Sequence, residues 1–325
     1  MKAYTKYKEE MKMKKTTKFL LGAVLGILLL TPVSQVKADW QRDNVGWWYS
    51  LNNGSYYKNT EAKINGKWYK FDDRGYMMTG WQLIWERNES RWGIIKNWSY
   101  FDPVNGDKKF GWQNIDGKWY YLTRDGALMG EQYMDGKHYY FDPVNADMKT
   151  GWISKPGYFG TEWNYYDPVS GAGVEGWQNI DGKWYYFQPS ALKGSQNLDG
   201  KIYYFDPVNC DMQTGWVTRE KASATRKYYY DLESGEQLSG WQDIDGKRYY
   251  FGEYGASSGR IYIEGKQYYF DSDTCELKIG WFELSGSKYY ADPNDGGALA
   301  ENKTLIIDGV SYTFDYGGTL INNVP

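Results

Sequence analysis

The chain has 325 residues and a formal net charge of −3, which supplies no basic field and sets nucleic acid aside as a partner. Length alone allows about two domains. Seventeen Trp, 33 Tyr and 12 Phe beside 38 Gly, however, do not suit one or two large aliphatic cores, so internal repetition has to be settled first.

In chain order, Lys12, Lys14, Lys15 and Lys18 precede an apolar run from Phe19 to Leu30, and Val36-Lys37-Ala38 offers small residues for cleavage. This predicts a secretory signal peptide over residues 1–38, with Met11 or Met13 as alternative starts. A run of about 12 residues is too short for a stable span. No integral membrane span is expected after cleavage, and the product is expected to be secreted. The final Ile321-Asn-Asn-Val-Pro carries no sorting signal, so retention on a cell has to come without a covalent or lipid anchor.

The stretch Gly111 to Lys149 holds two copies of one unit. Each has a Gly, often followed by Trp, then about five residues, Asp-Gly-Lys, mostly aromatic residues and a polar turn. Asp-Gly between alternating apolar runs is a strong hairpin signal, because a type I′ turn needs positive φ at both central residues. Asp116-Gly117 and Asp135-Gly136 are the predicted tips. Opening glycines recur at Gly111, Gly130, Gly151, Gly176, Gly194, Gly215, Gly240, Gly259 and Gly280. Gly46, Gly111, Gly176 and Gly240 are separated by 65, 65 and 64 residues, a super-repeat of three hairpins run four times. Units this short cannot bury an apolar face alone and are stabilised by their neighbours. An all-β solenoid of stacked hairpins follows. Residues 39–110 form a divergent entry with a long insertion, 111–300 the regular solenoid and 301–325 a Trp-free capping hairpin.

The three hairpin types differ. The first keeps two Trp positions, Trp112 with Trp119 and Trp177 with Trp184, but has Arg248 after Trp241. The middle type has lost both, reading Glu131 and His138, Ser195 and Ile202, Arg260 and Gln267. The third keeps its opening Trp (Trp81, Trp152, Trp216, Trp281) and lengthens the hairpin in all but the last copy.

The pattern GWxxxDGKWYYFxxxGxM resembles the choline-binding repeats of Gram-positive surface proteins over roughly Trp47 to Leu320, and VGWWYSLNNGSYYKNTEAKINGKWYKF is similar to that family's entry repeats. The resemblance implies a left-handed β-solenoid that holds phosphocholine of teichoic and lipoteichoic acids in aromatic cages between neighbouring hairpins. No cofactor is implied beyond the ligand choline or phosphocholine. The implied cages are Trp112, Trp119 and Tyr140; Trp177, Trp184 and Tyr204; Trp152, Trp163 and Tyr186; and Trp81, Trp98 and Tyr121. Met129 and Met148 are candidate pocket floors or core filler. The strand rule puts Trp119 and Tyr121 on one face and Tyr120 on the other, which makes the middle Tyr a packing residue. The bland alternative is that the Trp pairs are solenoid core; for the middle hairpins that alternative is preferred, since Glu131, Ser195 and Arg260 cannot wall an aromatic cage.

The family implies retention on the cell wall; no stretch outside the repeats is long enough for the hydrolase module that many members carry, so no enzyme is expected, and the long hairpins form a candidate edge for a host or bacterial surface protein. Two rivals stay open: a glucan-binding repeat protein, and a regulator that competes with wall hydrolases for choline. No catalytic or metal residues are expected. His138, the single histidine, stands at a repeat aromatic position. Cys210 and Cys275 lie one super-repeat apart, too far to bridge. The D-x-x-N-x-D turns at Asp102, Asp142 and Asp206 offer oxygens to calcium, but Asp and Asn are ordinary turn formers.

Overall fold

The computed structural model describes residues 37–89, 93–157, 160–221 and 224–324. The expected signal peptide lies outside them save for Lys37 and Ala38. Among the described residues the chain is all-β: antiparallel hairpins, each its own sheet of two or three strands, with one 3-10 turn at Pro293–Asp295. Contacts divide it into two units. The first holds the described residues up to Gln82 and Tyr100–Lys109; the second holds Leu83–Ser99 and Phe110 onward.

In the second unit, Gly111–Ile115 pairs with Lys118–Thr123 through a tip in which Asp116 and Gly117 both take positive φ, 51° and 80°. The register sets Trp112 opposite Tyr121 and Asn114 opposite Trp119. Strand alternation then buries Tyr120 and Leu122 on one face and puts exposed Trp119 and half-buried Tyr121 on the other. Gly176–Ile180 with Lys183–Phe187 repeats this register, Trp177 opposite Tyr186 and Asn179 opposite Trp184. The buried ring closing each hairpin, such as Phe141, Phe187, Phe205, Tyr230 or Phe270, packs against the preceding hairpin and supplies the core.

Most turns after the hairpins are tied by a leading Asp; Thr123, Gln188 and Gly252 take that place after the first hairpin type. Asp142 Oδ1 accepts the N–H groups of Val144 and Asn145 at 2.8 and 2.9 Å, and the Lys149 ammonium lies 3.2 Å from Oδ2. Both oxygens are thus committed to capping the turn. The Lys after several tips reaches an acid of the following turn: Lys118 to Asp147 at 3.6 Å, Lys183 to Asp211 at 3.1 Å and Lys247 to Glu276 at 2.6 Å. Such half-exposed pairs contribute roughly 0–1 kcal/mol each, so they set register more than stability. Cys210 and Cys275 are buried and unbridged at the turn position of positive φ.

The long hairpins are extensions of the ladder. Gly151–Gly157 pairs with Gly160–Tyr166 without a register break, so Ser154 faces Trp163 as Asn114 faces Trp119. The insertion therefore lengthens the tip and leaves Trp163 in the position of Trp119. The stretch Glu86 to Lys96 lies partly outside the described residues.

The first unit corrects the phase of the opening cycle. Asp39–Arg42 pairs with Trp47–Ser50, with Trp40 opposite Tyr49 and Arg42 opposite Trp47. Trp40 thus opens the cycle and Trp47 takes the second Trp position, so Gly46 is not the equivalent of Gly111. Without an Asp-Gly tip this hairpin was illegible by the turn rule.

Candidate functional site: the aromatic junctions

Each opening Trp lies between its own hairpin and the next. The Trp112 ring centroid is 5.3 Å from Tyr121 and 6.4 Å from Trp119 within its hairpin, and 5.0 Å from Tyr139 and 5.8 Å from Phe141 of the following one. Trp152 stands 6.4 Å from Trp163 and 4.9 Å from Tyr185. Trp177 stands 6.4 Å from Trp184 and 4.9 Å from Tyr203. The two indoles of each pair are nearly perpendicular, at 79°, 84° and 81°. Trp119 and Trp184 remain 45% and 46% exposed, so the second indole forms a wall open to solvent.

The third ring differs from the expected one in all three sets. Tyr139, Tyr185 and Tyr203 stand where Tyr140, Tyr186 and Tyr204 were expected. Hairpins stack front to back: the face bearing Trp112, Trp119 and Tyr121 meets the opposite face of its neighbour, which carries the middle Tyr and the closing Phe. Tyr140 instead lies 6.0 Å from Tyr166, Tyr204 6.0 Å from Tyr230, and Tyr186 5.2 Å from Trp177 of its own hairpin. The middle Tyr packs and also lines the opening. The Trp81 set is divided between the units: Trp81 lies 5.1 Å from Tyr100 in the first, whereas Trp98 and Tyr121 belong to the second and Tyr121 lies on Trp112.

Around Trp112, Trp119 and Tyr139 is a cavity of about 310 Å³, also lined by Met148, Val169 and Ser170. Met148 is its floor, and Gly171 lets it lie there: at φ +72° this position suits Gly, and a Cβ would come within 2.3 Å of the Met148 thioether. Among the described residues, no carboxylate or ammonium lines this cavity. The ligand it suits is a small, apolar-coated cation that needs no hydrogen bond.

Further along, the opening Trp and middle Tyr persist while a basic residue replaces the second Trp. Trp216 is 5.0 Å from Tyr249, Trp241 4.9 Å from Tyr268 and Trp281 4.8 Å from Tyr312, with Lys227, Arg248 and Lys288 at the wall position. Arg248 is held by Asp243 at 2.8 and 3.0 Å. A fixed cation about 5 Å from a bound ammonium costs roughly 1–3 kcal/mol at the dielectric of a protein surface. In the first unit Trp40 repeats the packing, 4.8 Å from Tyr69, but the Arg42 guanidinium covers Trp47 at 5.4 Å.

The middle junctions are filled by the chain itself. Lys155 pairs with Glu131 at 2.5 Å, the Arg219 guanidinium lies 3.4 Å from the Tyr228 ring centroid and 5.5 Å from that of Tyr204, and Arg260 lies 4.4 Å from Tyr289. In the first unit buried Lys108 pairs with Glu61 at 3.3 Å. Burial pushes the Tyr166 and Tyr230 phenols up to about 12, so they stay neutral. His138, a repeat variant, lies 4.8 Å from Tyr133 with the rings tilted at 58°.

These stacked hairpins with recurring aromatic junctions define a cell-wall-binding repeat protein. Residues 109–148 and 192–240 match the choline-binding repeat, and 175–190, 239–256 and 279–296 match a putative cell wall binding repeat. Over these segments the chain carries repeats similar to those of choline-binding proteins. Among relatives, it is 27% identical to Glucosyltransferase-S of Streptococcus mutans over 225 residues, covering 59% of this chain and 15% of that protein. It is 43% identical to the Lysin of Pneumococcus phage Dp-1 over 47 residues, covering 14% and 16%. The chain spans between 6% and 16% of the length of the curated relatives it matches. Of solved structures, CbpJ from Streptococcus pneumoniae is 27% identical with a TM-score of 0.49, covering 87% of this chain and all of that one.

Proposed function

We propose that the protein is a secreted, non-enzymatic surface protein retained on the cell wall by phosphocholine of teichoic and lipoteichoic acids. Trp112, Trp119 and Tyr139, then Trp152, Trp163 and Tyr185, then Trp177, Trp184 and Tyr203, are the trimethylammonium cages. The observation that carries this is one geometry built three times: two perpendicular indoles 6.4 Å apart, with a third ring at 4.9 to 5.0 Å from the inner one.

Each ring contributes about 0.5–2 kcal/mol to a quaternary ammonium, and three rings sum to roughly 3–5 kcal/mol, or about millimolar binding. Several such sites facing one polymer gain about 10² to 10⁴ in avidity. Wall retention therefore follows from repetition. The decisive measurement is titration with choline, followed by Trp fluorescence and melting temperature. Saturable quenching with a raised Tm supports the reading, and no change in either overturns it.

The extended hairpins at Gly151–Gly157/Gly160–Tyr166 and Gly215–Lys221/Ala224–Tyr230 are the proposed edge for a host or bacterial partner protein. Deleting Glu86 to Lys96 removes the corresponding extension, and partner capture that survives the deletion with choline retention intact counts against this edge. A second reading, glucan binding, draws on the match over 225 residues to a glucosyltransferase. Elution from the wall by dextran but not by choline would favour it.

A further inference from the structure

The first unit holds an aromatic pocket outside the repeat junctions. Trp48 stands opposite Gln41, on the face of its strand away from Trp47 and Tyr49, so it takes no part in the Trp40 packing. With Asp43, Tyr56, Arg74 and Tyr76 it lines a pocket of about 190 Å³.

The pocket is preorganised. Trp48 and Tyr56 meet edge to face, with centroids 5.8 Å apart. Asp43 Oδ1 accepts the N–H groups of Val45 and Gly46 at 2.8 and 3.1 Å, and the Tyr76 hydroxyl donates to Oδ2 at 2.8 Å. These donors hold the Asp43 carboxyl below its usual range, so it is ionised at neutral pH. Gly75, at φ +97°, lets the Tyr56 ring cross the backbone where a Cβ would lie 2.5 Å from it. The Arg74 guanidinium lies 5.7 Å from the Tyr76 centroid and 3.8 Å from Asp72, with its side chain 70% exposed.

Trp112, Trp119 and Tyr139 offer a ligand rings and no charge, whereas this pocket offers rings, one fixed anion and one exposed guanidinium. A bare ammonium would leave Arg74 facing it with like charge, and a bare anion would face Asp43. A zwitterion whose cation is coated with alkyl groups and whose anion suits the guanidinium fork satisfies every lining residue. We propose that Asp43, Trp48, Tyr56, Arg74 and Tyr76 form a phosphocholine headgroup site that reads both ends of the zwitterion, with the trimethylammonium on the rings beside Asp43 and the phosphate on Arg74. The site shares no residue with the proposed cages and does not depend on them.

The test uses the full chain carrying Trp119→Ala, Trp163→Ala and Trp184→Ala, which removes a wall from each proposed cage. Binding of choline, phosphocholine and phosphatidylcholine vesicles is measured by Trp fluorescence, with near-UV circular dichroism as the fold control. Expected is retained phosphocholine binding about tenfold tighter than choline binding, a preference lost in Arg74→Gln and an overall weakening of about tenfold in Asp43→Asn. Vesicle binding with the same variant dependence assigns a lipid source, and binding of free phosphocholine alone assigns a non-lipid one; either supports the site. Absence of binding by the triple variant, or an unaltered preference in Arg74→Gln, overturns it whatever the cages do in the wild-type chain.

Discussion

Two neighbouring junctions of the second unit use one backbone in opposite ways. At Trp177 the next hairpin presents Tyr203 to the inner indole, and both indoles stay partly exposed, at 37% and 46%. At Ser195, one hairpin on, Tyr228 stands in the equivalent place, and instead of indoles the Arg219 guanidinium lies face-on against it at 3.4 Å. A positive charge on aromatic faces completes the stack in both: the chain supplies it at one junction, and in the proposed function the wall polymer supplies it at the other. Sites are thus distinguished by what fills the ring pocket and not by the fold.

The largest test separates the inner from the outer indole. Trp177, 37% exposed, touches Trp184, Tyr186, Tyr203 and Phe205, so Trp177→Ala should cost about 1–3 kcal/mol and remove one choline site. Trp184, with nearly half its surface exposed, should cost less than about 1 kcal/mol as Trp184→Ala and remove the same site. Urea unfolding and a count of bound choline check both. Equal stability losses would mean the outer indole is core.

The next test opens a filled junction. Arg219→Ala should destabilise by about 1–2 kcal/mol, the value of a desolvated cation–π pair. Adding Ser195→Trp and Ile202→Trp should create one more choline site, read by equilibrium dialysis. An unchanged count would show that the Tyr228 junction cannot open. Conversely, Trp184→Lys copies the wall found at Lys227 and Lys288. It should weaken choline at that cage about 10- to 100-fold through like charge, with stability changing by less than about 1 kcal/mol.

Much of this was legible because the repeat states its own rules. The Asp-Gly tips, the alternation that exposes Trp119 and buries Tyr120, and the replacement of both indoles at Glu131, Ser195 and Arg260 all follow from turn chemistry and a period of two. Local rules stopped at the junction. Whether Tyr139 or Tyr140 faces Trp112 depends on how hairpins stack, and front-to-back stacking selects the residue that single-strand reasoning had assigned to packing. Trp40 was missed because its hairpin closes without Asp-Gly. Arg219 was invisible because a residue in a hairpin extension reads as surface until its neighbour is placed against it.

The smallest effect should fall equally on open and filled junctions, since both rest on the same Asp-tied turns. Asp142, Asp167 and Asp231 are held below the usual carboxylate range, chiefly by backbone N–H donors. In the first unit burial pushes Asp102 up, but Lys109 and the N–H groups of Asn105 and Val104 outweigh it and bring Asp102 down to about 2 from 3.8. A carboxyl with a depressed folded pKa contributes stability that is complete above its unfolded value and is lost as pH falls through the folded one. Stability should therefore be flat from neutral pH to about 4 and decline between about 4 and 2. Trp184→Ala and Arg219→Ala should show that same window with their offsets preserved. A decline beginning near pH 6, or an offset that closes in acid for one variant alone, would mean that the two kinds of junction do not share their support.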